Sequence, residues 1–308
     1  MITYYYSNAR APKLKEIDES KTGSWIHVVE PSQEELDDLA KRLKLDRDML
    51  ADAIDIYEAP RVELKDEITY VFARYCHPEG HDVATEPLLI TYTKNNIITI
   101  MRSDESVLDQ IIDGAVPVLT TQKTKAFLHI LEQINRSYRL QLNLISKQIL
   151  QFRSQLRQAQ VSSVQIVRFI ELEEDLNEFL TALQPQALVL NALVSGKYME
   201  LYDDDKDLVD DIMLNTQELI DLCKTRVRTV SNIRQAYDVI ATNNLNKTFK
   251  RLTSIAIFLT IPTIIGGLWG MNVALPFADY KFAFPLILTI IALLVLSVFR
   301  FFYKRDWF

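Results

Sequence analysis

Apolar and polar residues alternate over short stretches of the first third of the chain, a pattern that predicts β-strands with one buried face. Lys94-Asn95-Asn96 stands between the last two stretches and indicates a hairpin turn, because its residues tolerate a positive φ. The predicted strands are Ile2–Tyr6, Ser24–Glu30, Arg61–Lys65, Ile68–Cys76, Leu88–Thr93 and Ile97–Met101.

Two short helices are predicted between these strands. Ser32 is placed to cap a helix that starts after Pro31, and Glu35, three residues on, is its capping-box partner. A second short helix is expected over Arg47–Ile54. Strands and helices interleaved in this way predict an α/β domain over residues 1–120.

Beyond this domain the apolar residues recur every three or four positions, which is the period of an amphipathic helix. One long helix is predicted from about Thr121, and a second from Val164, with Pro185 as an interruption or kink and Gly196 at its end. A third, running from about residue 206 to 270, would be roughly 95 Å long. An isolated helix of that length is not stable, so a helix bundle and stalk are expected over residues 121–250, together with an oligomer.

Two long uncharged segments follow. Twenty residues from Leu252 to Met271 carry no charge, and neither does the segment Ala283–Ser297. About 20 residues of helix cross a hydrocarbon core of roughly 30 Å. The segments therefore predict transmembrane helices over 251–272 and 283–302, with a loop at 273–282 and a tail at 303–308; a buried core helix is the disfavoured alternative.

Charges at the ends of these helices predict their orientation. Between the two helices, Asn272 to Phe282 holds only Lys281 and Asp279. The positive-inside rule then places the loop outside and both termini in the cytoplasm, as in a multi-pass protein of the plasma (inner) membrane. The basic residues at the inner ends are Lys247, Lys250, Arg251, Arg300, Lys304 and Arg305.

Composition narrows the function classes. The net charge of −7 argues against nucleic-acid binding and favours attraction of cations. Seven glycines and four histidines, without a glycine-rich phosphate loop or a Cys-x-x-Cys pair, argue against an enzyme. In a reducing cytoplasm Cys76 and Cys223 are not expected to form a disulfide. A cluster of His77, Glu79, His81 and Asp82 could bind zinc, but a solvated polar loop is the favoured interpretation, with Cys76 on the opposite strand face.

The first transmembrane helix has one face of small and hydroxylated residues, which either packs on another helix or lines a water-filled path. The second is mainly a Leu/Ile/Val run without a polar stripe, as expected of a helix that faces lipid. With one such face per chain, a pore needs several copies around an axis. The predicted pore-lining stripe consists of Asn246, Phe249, Leu252, Ala256, Thr260, Thr263 and Gly267.

Gly270-Met271-Asn272 ends the first of these helices, and in this position it resembles the hallmark of the CorA-type magnesium transporter family. The segments Trp25-Ile26-His27-Val28 and Pro60-Arg61-Val62-Glu63 are similar to elements of that family. The resemblance implies a homopentamer with a funnel-shaped cytoplasmic domain and a selectivity filter at Gly270, Met271 and Asn272. The expected fold class is thus an α+β membrane protein with an α/β domain, a helical stalk and two transmembrane helices.

A ring of Asn272 carbonyls could hold magnesium through its waters without stripping them. Two departures stand out: Trp269 replaces the Tyr or Phe often found before the motif, and Asp279 is the one acidic residue of the outer loop. With so few acidic residues in this loop, efficient concentration of cations at the outer mouth of the pore is not expected.

The resemblance also implies sites away from the filter. Asp211, on the stalk helix, and Asp52, shortly before Pro60, match positions that hold a regulatory magnesium between subunits. Lys247, Lys250, Arg251, Lys304 and Arg305 are expected to form a basic ring at the inner mouth of the pore. The acidic stretches around these positions are otherwise interpreted as solvated helix faces.

Three functional hypotheses remain from the sequence. The first is a channel for magnesium, gated by intracellular magnesium, with cobalt or nickel passage left open. The second is a zinc transporter of the same superfamily. The third is a membrane-anchored sensor or scaffold, which would not need the small and hydroxylated residues of the stripe.

Overall fold

The computed structural model describes residues 1–79, 82–103, 106–157, 163–273 and 281–305. They form two compact units, Met1–Arg234 and Gln235–Phe308. The strands are β1 (Ile2–Asn8), β2 (Ala11–Ile17), β3 (Trp25–Val29), β4 (Arg61–Lys65), β5 (Ile68–Glu79), β6 (Asp82–Tyr92) and β7 (Ile97–Met101). The helices are α1 (Gln33–Leu43), α2 (Arg47–Asp52), α3 (Asp109–Ile112), α4 (Lys123–Arg157), α5 (Ser163–Val194), α6 (Asp203–Trp269) and α7 (Ala283–Lys304).

The strands form one sheet in the order β2-β1-β3-β7-β6-β5-β4. β3 and β7 pair in parallel, and the other neighbours are antiparallel. Every predicted strand is present, but β2 was not predicted. Most of its side chains are exposed, because β2 lies at the edge of the sheet and contributes to the core through Leu14, so its sequence shows no clear apolar alternation.

The hairpin turn between β6 and β7 forms where the sequence predicts it, but by different chemistry. The described residues with a positive φ do not include Asn95 or Asn96. The Thr93 hydroxyl closes the turn instead: it accepts the N–H groups of Asn95 and Asn96 at 3.3 and 2.9 Å. The expectation of a turn built on positive φ is therefore wrong at these residues.

The short helices begin with the predicted type of cap. The Ser32 hydroxyl accepts the N–H of Glu35 at 3.2 Å, and the Glu35 carboxylate accepts the N–H of Ser32 at 2.9 Å, so the predicted capping box is confirmed. Asp46 caps α2 by accepting the N–H groups of Asp48 and Met49. α2 ends at Asp52, two residues before the predicted end at Ile54.

The sheet separates two hydrophobic cores. In β5, Val71, Ala73 and Tyr75 belong to the core formed with α4, α5 and α6, whereas Tyr70 and Phe72 belong to the core under α1 and α2. This alternation is the period of two that a strand with both faces covered must show.

The long helices hold one another by polar contacts as well as by the core. Pro185 lies inside α5 and does not interrupt it, contrary to one of the two expected outcomes. Arg139 of α4 and Glu218 of α6 form an ion pair at 2.8 Å, and Arg234 of α6 pairs with Glu173 of α5 at 3.0 Å. The amide of Asn135, buried between α4 and α6, donates to the Ile212 carbonyl at 3.1 Å.

By length and composition, α6 and α7 are the helices that could cross a membrane in the described part of the chain. The most apolar segment of 18 residues in each is only 6% buried in the described chain. Two apolar helices that bury so little against their own chain need another apolar surface around them.

Candidate ion-conducting helix and metal sites

The apolar end of α6 packs on α7 by one face. Ser254 is fully buried, and Phe258 lies 6.1 and 5.9 Å, between ring centroids, from Phe299 and Phe302 of α7. The hydroxyl of Ser254 donates to the Lys250 carbonyl at 2.8 Å, so this polar group is satisfied within α6. The contact defines which side of α6 is covered by its own chain.

The predicted pore-lining stripe lies on the uncovered side of the same helix. Phe249 and Leu252 are 64% and 58% exposed, although both are large and apolar. The other members are exposed as well: Asn246, Ala256, Thr260, Thr263 and Gly267. The face that the sequence assigned to a pore is thus available for neighbouring copies or for water.

The hydroxyl groups of the stripe are satisfied by their own helix. Thr260 donates to the Ala256 carbonyl and Thr263 to the Leu259 carbonyl, both at 2.7 Å. Their protons are therefore engaged, and each oxygen keeps the capacity to accept a hydrogen bond from the water around an ion. The two threonines thus give the stripe acceptor oxygens, the polarity that suits a cation.

The segment Gly270-Met271-Asn272 follows the end of α6 at Trp269. The N–H of Gly270 donates to the Gly266 carbonyl at 2.9 Å, and a Cβ added to Gly270 would lie 3.2 Å from that oxygen. Glycine thus lets the chain continue the last turn without displacing the carbonyl. Asn272 is exposed, so its amide is available to a ligand. Asp279 and most of the predicted outer loop lie outside the described residues.

Gly266 and Gly267 show a different environment from Gly270. A Cβ added at either position would meet nothing within 4 Å in this chain. Neither glycine is required by the packing of the described residues, so any need for them must come from another molecule.

The basic residues near the predicted inner mouth of the pore are all exposed. Lys247, Lys250 and Arg251 lie on α6, and Lys304 and Arg305 at the end of α7. The Arg305 guanidinium lies 5.6 Å from the centroid of the Phe301 ring, a cation–π distance. These residues are in one structural unit, and their side chains are free to meet solvent.

The predicted regulatory carboxylates lie on separate elements of the first unit. Asp52 ends α2, and its Oδ2 accepts from Nη2 of Arg61 at 2.7 Å. Asp211 is an exposed residue of α6. Among the described residues there is no group of three or more His, Cys, Asp or Glu side chains that could hold a metal ion. The sequence did not predict the ion pair between Asp52 and Arg61, because Arg61 entered only as part of the segment Pro60-Arg61-Val62-Glu63.

The zinc hypothesis at residues 77–82 receives no geometric support. His81 and the side chains of Glu79 and Asp82 lie outside the described residues. Cys76 next to them belongs to the core, and burial raises the pKa of its thiol well above the usual range. Burial also raises the pKa of Cys223 to about 12, so neither thiol is a ready metal ligand.

The chain has an α/β sheet and four long helices; the end of α6, which carries the uncovered stripe, and α7 are long and apolar enough to cross a membrane, which is the architecture of a two-helix membrane protein. The profile of the family described as "CorA-like Mg2+ transporter protein" matches residues 20–305, and the chain belongs to that family.

Named relatives agree with this assignment. The chain is 27% identical over 305 residues to the cobalt/magnesium transport protein CorA of Methanocaldococcus jannaschii, covering 96% of this chain and 95% of that protein. It is 21% identical over 267 residues to the protein of the same name from Thermotoga maritima, covering 84% and 76%.

Solved structures show the same fold. The complete CorA magnesium transporter from Methanocaldococcus jannaschii matches with a TM-score of 0.87 at 21% identity, over 100% of this chain and 99% of that one. The cytoplasmic domain of ZntB from Vibrio parahaemolyticus matches with a TM-score of 0.65 at 12% identity, over 78% and 98%. At these identities the likeness is evidence of fold alone.

Proposed function

We propose that this chain conducts magnesium across the plasma membrane as a channel gated by intracellular magnesium. The observation that carries the proposal is the uncovered stripe on α6, which runs toward Gly270-Met271-Asn272 in a chain of the CorA-like family. Two relatives bear the name cobalt/magnesium transport protein, so cobalt is the second ion to test and nickel the third.

The working unit is a homopentamer in the lipid bilayer. One chain offers a single stripe, and a closed path needs several stripes around an axis. Gly266, open in the single chain and outside the stripe, leaves room for the neighbouring helix. Both termini are cytoplasmic, because basic residues concentrate at the inner ends of α6 and α7.

Selection takes place at the end of α6. Magnesium loses its water shell reluctantly, so a ring of neutral amide oxygens from Asn272 recognises the hydrated ion. Neutral acceptors hold the ion weakly enough for it to leave, which conduction requires.

The closed state blocks the path farther in. Rings of Phe249 and Leu252 are apolar and exclude water when they meet at the axis. Lys247, Lys250, Arg251, Lys304 and Arg305 form a basic ring that adds an electrostatic barrier to a divalent cation at the inner mouth.

Regulation comes from magnesium bound between Asp52 of one subunit and Asp211 of its neighbour. Two carboxylates held close repel each other, and the ion relieves this repulsion, so high internal magnesium favours the closed pentamer.

Zinc transport has less support, because the likeness to ZntB is one of fold at 12% identity. A membrane-anchored sensor or scaffold is disfavoured, because an anchor does not need the small and hydroxylated residues of the stripe.

Uptake into liposomes tests the proposal. The purified protein should take up magnesium in preference to zinc, and Asn272→Ala should reduce magnesium uptake at least tenfold while the oligomer remains intact. Asn244→Ala, an exposed asparagine of α6 outside the stripe, is the matched control and should keep wild-type uptake. Normal uptake by an assembled Asn272→Ala variant would remove the filter assignment, and faster zinc than magnesium uptake would replace the proposed ion.

A further inference from the structure

Asp52 shares a single guanidinium with two other carboxylates. Arg61 Nη2 lies 2.7 Å from Asp52 Oδ2, and Arg61 Nε lies 2.6 Å from Glu63 Oε1. Arg61 Nη1 is paired with Glu58. All three nitrogens of the guanidinium are therefore engaged, and Asp52 is neutralised by a cation of its own chain.

Arg61 cannot easily follow a departing Asp52, because it is held from two sides. Its guanidinium carbon lies 3.9 Å from the centroid of the Phe72 ring, and Phe72 is buried in the core under α1 and α2. Arg74 donates to the carbonyls of Ile56 and Glu58 at 2.7 and 2.9 Å, which fixes the segment that carries Glu58.

The release of Asp52 leaves Arg61 with two carboxylates. A buried or half-buried cation that lost its last partner would pay a large desolvation penalty. Arg61 keeps Glu58 and Glu63, so breaking its contact with Asp52 costs much less than breaking an isolated ion pair. The arrangement therefore permits Asp52 to exchange its contact with Arg61 for a contact with another cation.

We propose that Arg61 competes with magnesium for Asp52 and thereby sets the internal concentration at which the ion binds. The inference rests on the proposed regulatory role of Asp52. A divalent cation at this carboxylate either displaces the guanidinium or tolerates its positive charge at a distance of a few ångströms. Both alternatives weaken binding, so the site responds to a higher concentration than the two aspartates alone would set.

Replacement of Arg61 should therefore strengthen binding. Arg61→Met keeps an unbranched side chain about as long as the aliphatic stem of arginine and removes the charge, and we expect half-maximal binding at about tenfold lower magnesium, or about 1.4 kcal/mol. Arg61→Lys keeps the charge but can no longer contact three carboxylates through a planar fork, so its midpoint should lie between Arg61→Met and wild type.

Magnesium-dependent protection of the purified full-length protein against proteolysis measures binding without relying on transport. The midpoint should fall in Arg61→Met and, to a smaller extent, in Arg61→Lys. In the Asp52→Asn background, Arg61→Met should no longer shift the midpoint, because Arg61 acts through Asp52.

The outcomes separate the two proposals. An unchanged midpoint in the Arg61 variants, with weakened protection in Asp52→Asn, would overturn the competition and keep the regulatory site. An equal shift in both backgrounds would show that Arg61 acts only through a general effect of its charge, and this result would also overturn the competition. Unchanged protection in Asp52→Asn as well would overturn the regulatory site itself, while liposome uptake tests transport independently. Arg61→Lys keeps the positive charge at this position and tests the competition if Arg61→Met fails to fold.

Discussion

Gly266 and Gly267 offer a sharp test of which face of α6 lines the pore. Adjacent residues are about 100° apart around a helix, so the two glycines face different surroundings. In the stripe assignment Gly267 faces the ion path, and Gly266 faces a neighbouring helix. A Cβ at either position meets nothing within 4 Å in the single chain, so each substitution by alanine is free of clashes there.

The expected magnitudes follow from this difference. Alanine in place of glycine within a helix stabilises the helix by about 1 kcal/mol in both variants. At Gly266 the added methyl also enters a close contact between helices, and overpacking costs about 1–3 kcal/mol per contact. Gly267→Ala should therefore leave the oligomer as stable as wild type or slightly more stable. Gly266→Ala should lose up to about 2 kcal/mol per subunit, a loss that is repeated around the ring.

Light scattering of the detergent-solubilised protein, followed through a thermal ramp, measures the loss of the oligomer. Gly266→Ala should dissociate at a lower temperature than wild type, and Gly267→Ala should not. The reverse order would refute the placement of the stripe, since it would put Gly267 at the interface between helices. If neither variant dissociated at a lower temperature, neither glycine would be in close contact with a neighbour, and equal destabilisation would place both at the interface; both outcomes contradict the assignment.

Three further predictions address the gate, a helix cap and the core. Leu252→Ser should raise magnesium leak into liposomes, because it would break the proposed apolar ring, whereas Ile255→Ser, exposed on another face of α6, should not; equal leak in both would place the constriction elsewhere. Asp46→Ala should cost about 1 kcal/mol of unfolding free energy at pH 7 by removing the cap of α2. The hydrogen bond from Lys65 and the N–H groups of Met49 and Asp48 lower the pKa of Asp46 in the folded chain. Its ionised form therefore stabilises the fold above the unfolded pKa, and the difference between variant and wild type should shrink as pH falls through the folded pKa in a denaturation series. Cys223, fully buried with a pKa raised to about 12, should react with a maleimide at pH 8 only after a denaturant is added, and rapid labelling of the native protein would contradict the packing.

The fold was largely predictable because its elements are locally consistent. The Ser32 capping box, the alternation in β5 and the uncharged spans each signal one structure, and the structure agrees. β2 could not be predicted, because an exposed edge strand carries no apolar alternation. The course of α5 through Pro185 was ambiguous, since tertiary packing decides whether a helix tolerates the missing N–H.

The candidate site was predictable only where it depends on one helix. Seven stripe positions follow from the helical period, and the structure leaves all of them uncovered. The ion pair of Asp52 with Arg61 joins α2 to β4, and no periodicity signals a contact of that kind. In the proposed pentamer Asp52 and Asp211 meet across two subunits, and this information is absent from one chain's local pattern.

The parallel pairing of β3 with β7 has a consequence for the order in which the chain folds. Trp25 is aligned with Ile97, so the centre of the sheet cannot close until residues more than seventy positions apart have been synthesised. The core on the α4 side is complete only when Cys223, Val230 and Ile233 of α6 have also been synthesised. Both events precede the synthesis of the uncharged span that begins at Leu252. The first unit therefore has all its core residues before the apolar helices exist, and it can fold before they reach the membrane.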